Sequence, residues 1–244
     1  MIKTNRFVSF AKTTLLVSAA ALMMNACSDK GTSTSTNGSG ARTTYETSTD
    51  HAIGDPKAPV TIVEYSSVMC GHCATWHEAT YPELVTKYVS TGKVRFVSRP
   101  FPTGNISLAN AGHLLANCAP SDKYFDLIGV QMKRQRQIAT STDIKGEYIA
   151  LAKSVGMSEA EFDACMSDPD GLSRLQAVYD AGDNLGVTGT PTFFFNGKKE
   201  QVFTIEEFET VLAPLLGEPL PKAKPETESE TASDTDGKSG DTDN

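Results

Sequence analysis

Basic residues are in short supply in this chain: 22 Lys and Arg stand against 30 Asp and Glu, a formal net charge of −8. A nucleic-acid partner is therefore not expected, because a phosphate-binding surface needs clustered Lys and Arg on a net basic domain. The single dense basic run, Lys133-Arg134-Gln135-Arg136, reads as the solvated face of a helix. Long apolar runs are also missing. The stretch from Leu15 to Met24 is too short to cross a bilayer comfortably. No internal repeat is visible, and cysteine is scarce enough, five residues in 244, that each can be given a use.

What is present at the start is an export signal. Lys3, Arg6 and Lys12 precede the apolar stretch, and Ala26-Cys27 follows it, the layout of a secretory leader. The Ala26-Cys27 junction resembles the lipoprotein signals of bacteria, in which the cysteine is lipidated and becomes the mature N-terminus. Met24 stands where that pattern usually has Leu, so ordinary cleavage and an uncut anchor remain alternatives. Every one of these readings sends the chain out of the cytosol, into a compartment where disulfides persist.

Residues 27–54 are dominated by Ser, Thr and Gly and read as a flexible tether. Residues 218–244 mix Pro, Glu, Asp, Thr and Ser without hydrophobic periodicity and read as a disordered acidic tail. Roughly 160 residues are left between them, enough for one packed domain.

Within that domain the pattern is α/β. Val60-Thr61-Ile62-Val63-Glu64-Tyr65 is β-branched and largely apolar, a buried strand, and Lys93 to Ser98 is a second. A helix opening at Cys70 must kink or restart at Pro82. From about Ile106 to Leu185 the apolar spacing is helical. Ser158-Glu159-Ala160-Glu161 forms a capping box there, and a further helix is expected from about Leu172 to Leu185. Thr192-Phe193-Phe194-Phe195 is a strand, Asn196-Gly197 a hairpin turn, and Thr204-Ile205-Glu206-Glu207 a second capping box opening a helix through about Leu216.

Chemistry concentrates at Cys70-Gly71-His72-Cys73. Two thiols three residues apart at a helix start lie on one face, with Cys70 at the positive end of the helix dipole; Cys70 is the expected nucleophile. The helix N-terminus and the polar or cationic His72 both favour its thiolate. Zinc is the competing use of Cys70, His72, Cys73 and His77, but structural zinc wants a second ligand pair, and Cys118 and Cys165 fall in the helical block. In an oxidising compartment these last two read as a structural disulfide, with buried free thiols as the alternative. Trp76 and His77 read as packing or helix surface, and His51 and His113 receive no role.

The order of strand, two-cysteine helix start, strand, helical block, Thr-Pro strand, hairpin and helix resembles the thioredoxin superfamily, and within it the periplasmic DsbA-like dithiol oxidases. The resemblance runs from about Asp55 to Gly217 and is carried by Glu64 through Cys73 and by Val187-Thr188-Gly189-Thr190-Pro191-Thr192-Phe193. It implies a thioredoxin fold in two parts, 55–103 and 187–217, with the helical insert 104–186 between them.

The resemblance further implies Glu64 as the buried acid that shuttles a proton to or from Cys73, which resolves mixed disulfides. It implies a cis bond before Pro191, with the Thr190 backbone offered to a substrate peptide. Reduced exported proteins are then the substrates, a DsbB-like membrane protein the oxidant, no cofactor is needed, and with no dimerisation domain before the thioredoxin segment a monomer is expected. Gly71 replaces the usual proline of DsbA, making the dipeptide that of protein disulfide isomerase. A reductase or isomerase is therefore one rival reading, and a non-enzymatic envelope lipoprotein on the same scaffold is another.

Overall fold

Strand β2, Val60–Ser66, is buried along its whole length, and its run of β-branched and aromatic residues suits a strand covered on both faces. It pairs in parallel with β3, Val94–Pro100 (Val60 opposite Val94, Ser66 opposite Pro100), and antiparallel with β4, Thr192–Phe195 (Ile62 opposite Phe195, Tyr65 opposite Thr192). The edges are β1, His51–Ile53, antiparallel to β3, and β5, Lys198–Glu200, antiparallel to β4. The sheet order is β1-β3-β2-β4-β5. This is a computed structural model, and it describes residues 45–221; the leader, Cys27 and most of the acidic tail lie outside the described residues.

Alternation along β2 divides the sheet into two faces. Val60 and Ile62 join Phe96, Phe193 and Phe195 under helices α1 (Gly71–Ala79) and α8 (Ile205–Leu216), where Trp76, Phe208 and Leu212 complete the core. Val63 and Tyr65 face the other way, against Val97, Phe101, Phe194 and the helix α7 (Pro169–Asn184). A third cluster is built by the insert helices α3 (Ile106–Cys118), α4 (Tyr124–Thr140), α5 (Ile144–Ser154) and α6 (Glu159–Met166), and Val68 and Cys73 join it from the cysteine turn and α1. Helix α7 thus belongs as much to the sheet as to the insert, with Val178 and Tyr179 against the second face.

Helix α1 stops at Ala79, and α2 (Tyr81–Leu84) restarts with Pro82 in its first turn, passing into a π-helical turn over Val85–Val89. A proline there loses no hydrogen bond, since first-turn N–H groups have no helical partner. Both capping boxes are made: Ser158 with Glu161, and Thr204 with Glu207. Helix α7 begins earlier than its apolar spacing suggests, because the Asp168 side chain accepts the Asp170 N–H at 3.0 Å and Pro169 supplies the first turn. Asn196 and Gly197 take positive φ values of 45° and 81° at the β4–β5 turn.

At residues 45–54 the structure differs from the expected tether, whose remainder, 27–44, lies outside the described residues. His51–Ile53 is a strand, and the segment before it is pinned by two ion pairs: Arg95 with Glu46 at 3.0 Å and Arg99 with Asp50 at 2.7 Å. An edge strand of three residues has too little periodicity to read in a sequence; it forms because β3 offers it a free edge and two partly buried arginines need counter-charges.

Candidate active site

The cysteine helix is held from below by the Ser66–Met69 turn. The Ser67 hydroxyl donates to the Thr103 carbonyl at 3.0 Å and accepts the Met69 N–H at 3.2 Å, while the Cys70 N–H reaches the Ser67 carbonyl at 3.1 Å. Gly104, at φ +74°, lets the next loop close on this turn: a Cβ there would stand 2.5 Å from the Met69 carbonyl oxygen. From the far side comes the Thr190-Pro191 loop, whose peptide bond is cis. The Thr190 and Thr103 hydroxyls meet at 2.7 Å, and the Thr192 hydroxyl donates to the Gly189 carbonyl at 2.7 Å.

Cys70 is the N-cap of α1, its Sγ accepting the Cys73 N–H at 3.3 Å. Cys70 and Cys73 are both free thiols, Cys70 half-buried and Cys73 buried. The Cys70 thiol is pulled down to about 5, chiefly because the Cys73 thiol donates to its anion; burial opposes this, and the Thr190 hydroxyl and the backbone N–H groups of Cys73 and His72 assist. The Thr190 carbonyl, 3.3 Å from Sγ, accepts only from the protonated thiol and so opposes ionisation, but the donors outnumber it. Cys73 is pushed the opposite way, first by burial, then by its bond to Cys70 and by the negative charge of Glu64. One sulfur is therefore an anion at neutral pH and the other a thiol, the division that thiol–disulfide exchange needs.

His72 is exposed, and it acts on Cys70 through its backbone N–H. Glu64 is fully buried at the centre of β2. It lies on the α1 side of the sheet because it alternates with Ile62, and its carboxylate meets His77, whose Nε2 is 3.2 Å from both Oε1 and Oε2. Sequence reasoning left His77 as packing or helix surface; the signal available was its position one turn after Cys73, on the same helix face. Gln135 was passed over too. From α4 its amide donates to the Cys70 carbonyl at 3.4 Å, so part of the basic run touches the site rather than only solvent, and Arg134 pairs with Glu147 at 2.5 Å. Cys118, on α3, and Cys165, on α6, are joined by a disulfide with S–S 2.01 Å. No group of three or more metal-ligating side chains occurs among the described residues, and no described helix is long and apolar enough to cross a membrane.

Fold and site together define a class: a thioredoxin fold interrupted by a helical block, with a two-cysteine helix start facing a cis-proline loop. The sequence pattern of the thioredoxin family matches residues 46–213, and the chain belongs to that family. It is similar to a Rickettsia conorii protein named "Putative protein-disulfide oxidoreductase", 30% identical over 183 residues that cover 72% of this chain and 64% of that protein. The chain thus spans just under two thirds of the length of that relative. Among solved structures, α-DsbA1 of Wolbachia pipientis shares the fold with a TM-score of 0.64 at 24% identity, over 70% of this chain and 93% of that one. A protein-disulfide isomerase from Novosphingobium aromaticivorans matches with a TM-score of 0.58 at 25% identity, over 68% of this chain and 97% of that one.

Proposed function

We propose that this protein is a thiol:disulfide oxidoreductase of the bacterial envelope that introduces disulfides into exported proteins. The observation that carries the reading is the divided pair: a Cys70 thiol drawn down to about 5 beside a buried Cys73 driven up. A substrate thiolate attacks Sγ of Cys70 in the oxidised pair, and Cys73 leaves and takes a proton. A second substrate thiolate then attacks the substrate sulfur of the mixed disulfide, forming the substrate disulfide and expelling Cys70 as its stable thiolate. A good leaving thiolate makes the protein an oxidant, because the reduced form is the stabilised one.

Glu64 serves as the proton store for Cys73, and the Thr190-Pro191 loop, beside an open groove of about 570 Å³ reaching Gln201 and Phe203, receives the extended substrate. A DsbB-like membrane protein reoxidises the pair, and a lipid on Cys27 would keep the two on one surface. The disulfide Cys118–Cys165 serves structure rather than turnover.

The test is a thiolate titration of reduced protein joined to a redox titration against glutathione. The expected results are a midpoint near 5 for Cys70, abolished in Cys70→Ser, and a potential well above that of thioredoxin, which is about −270 mV. A potential at the thioredoxin value with good reduction of insulin would defeat the oxidase direction. One rival retains a specific support: Gly71-His72 at the dipeptide, together with the isomerase named among the structural neighbours, favours an isomerase, which would reshuffle scrambled disulfides faster than it oxidises reduced chains.

A further inference from the structure

A buried acid that trades protons with a buried thiol needs an outlet. Glu64 has no exposed surface, and among the described residues the polar side chain that reaches its carboxylate is His77, at 3.2 Å from each oxygen. Helix geometry puts His77 one turn beyond Cys73 on the same face of α1. Its side chain is 7% exposed, and it lines an open cleft of about 330 Å³ between α1 and α4. The ring is held there by Tyr81, 4.7 Å away between centroids. His77 is thus in contact with the enclosed carboxylate on one side and with an open cleft on the other.

We propose that His77 is a proton-relay residue, carrying the proton between Glu64 and solvent each time Cys73 is protonated or deprotonated. This rests on the dithiol reading above. When Cys73 leaves as a thiolate during substrate oxidation, a proton from the cleft passes through the imidazole and Glu64 to the Cys73 sulfur, and Glu64 is left as the carboxylate. When the reduced pair is reoxidised, the proton leaves Cys73 for Glu64 and then His77 as the Cys73 sulfur attacks the mixed disulfide on Cys70. Per substrate dithiol, two electrons pass to the Cys70–Cys73 pair, one proton ends on Cys73 and one is released to solvent. The imidazole suits this role because one ring nitrogen can accept a proton while the other donates one.

The other ionisable groups facing His77 are Glu64 from β2, Tyr81 from α2, Glu78 from α1, and Asp126 and Lys133 from α4. Burial, with the charges of Glu64 and Asp126 adding to it, raises the Tyr81 hydroxyl, which keeps that group neutral and out of the path.

The reaction of reduced protein with glutathione disulfide separates the steps. Quenching with acid and alkylating free thiols gives first the Cys70–glutathione adduct and then its resolution by Cys73, followed from pH 5 to pH 9. His77→Ala is expected to form the adduct at the parent rate but to resolve it about tenfold or more slowly, with added imidazole restoring the rate through the vacated cleft. His77→Gln, which keeps bulk in the cleft, should be slow without rescue, and Glu64→Gln slow whether or not imidazole is present.

Resolution of the His77→Ala adduct with the parent pH profile overturns the relay, and so does slow resolution that imidazole leaves unchanged. If His77→Ala does not fold, parent-like resolution in His77→Gln overturns it instead. Cys73→Ala separates this failure from that of the underlying reading: if it traps no adduct on Cys70, the dithiol mechanism falls and the relay with it.

Discussion

Cys70 and Cys73 differ little in chemistry and greatly in surroundings. The first receives hydrogen bonds at a helix start; the second is sealed beneath it near a negative charge. The Cys-X-X-Cys spacing singled out Cys70 and Cys73 in the sequence, and the family resemblance singled out Glu64 and Thr190-Pro191, which fold to a buried carboxylate and a cis peptide bond. His77 and Gln135 were less legible, since their roles come from which helix face packs on what. His113 was not legible at all. On α3 it is completely buried, and neither ring nitrogen makes a hydrogen bond. Burial pushes it down to about 4, and the nearby Ser66 backbone offsets only part of this. An unfolded chain takes up that proton near 6.5, so unfolding gains a proton as pH falls from about 6.5 to about 4, and the native state loses about 3 kcal/mol over that window. His113→Leu is expected to remove this share of the acid sensitivity. Unfolding free energies from urea titrations at pH 7 and pH 4.5 should then differ by about 2 kcal/mol less than in the parent; an unchanged difference would count against a neutral buried imidazole.

The elements with strong local signals are those the sequence displays: β2 with its apolar run, α6 and α8 with their capping boxes, the Asn196-Gly197 turn. Strand β1 and the dual loyalty of α7 depend on partners distant in the chain, and no local pattern announces them. The helical insert raises a question of anchorage at this scale. Its α6 is short, and Cys118–Cys165 ties it to α3 across 47 residues of sequence. Closing a loop of that length restricts the unfolded chain by up to about 4 kcal/mol in the chain-entropy description. Cys118→Ala/Cys165→Ala should therefore lower stability in urea by several kcal/mol at most, while the Cys70 titration, set by Cys73, Thr190 and the N–H groups at the start of α1, stays in place. A loss below about 0.5 kcal/mol would show the crosslink to be energetically idle, and a moved Cys70 midpoint would show the insert and the cysteine helix to be coupled.

For the whole molecule, the division between the two sulfurs makes stability and redox state one property. Oxidised protein has no thiol at this site to titrate. In reduced protein Cys70 ionises near 5 when folded and near 8.5 when unfolded, so between these values the unfolded chain holds the extra proton and native stability rises with pH. Below about 5 that advantage is absent, and above about 8.5 it is complete. Cys73 then reverses the slope: its folded thiol is raised, so above about 8.5 only the unfolded chain releases that proton, and stability falls. The melting temperature of reduced protein minus that of oxidised protein should accordingly climb from pH 5, peak near 8.5 and decline beyond it. Because Cys70 is only half-buried, solvent screening keeps the climb smaller than a fully enclosed thiolate would give. The same difference, carried round the cycle of folding and oxidation, is the amount by which folding makes the disulfide a stronger oxidant. A flat profile between pH 5 and 8.5 would mean that the fold does not favour the thiolate, and the proposed oxidase direction would lose its driving force.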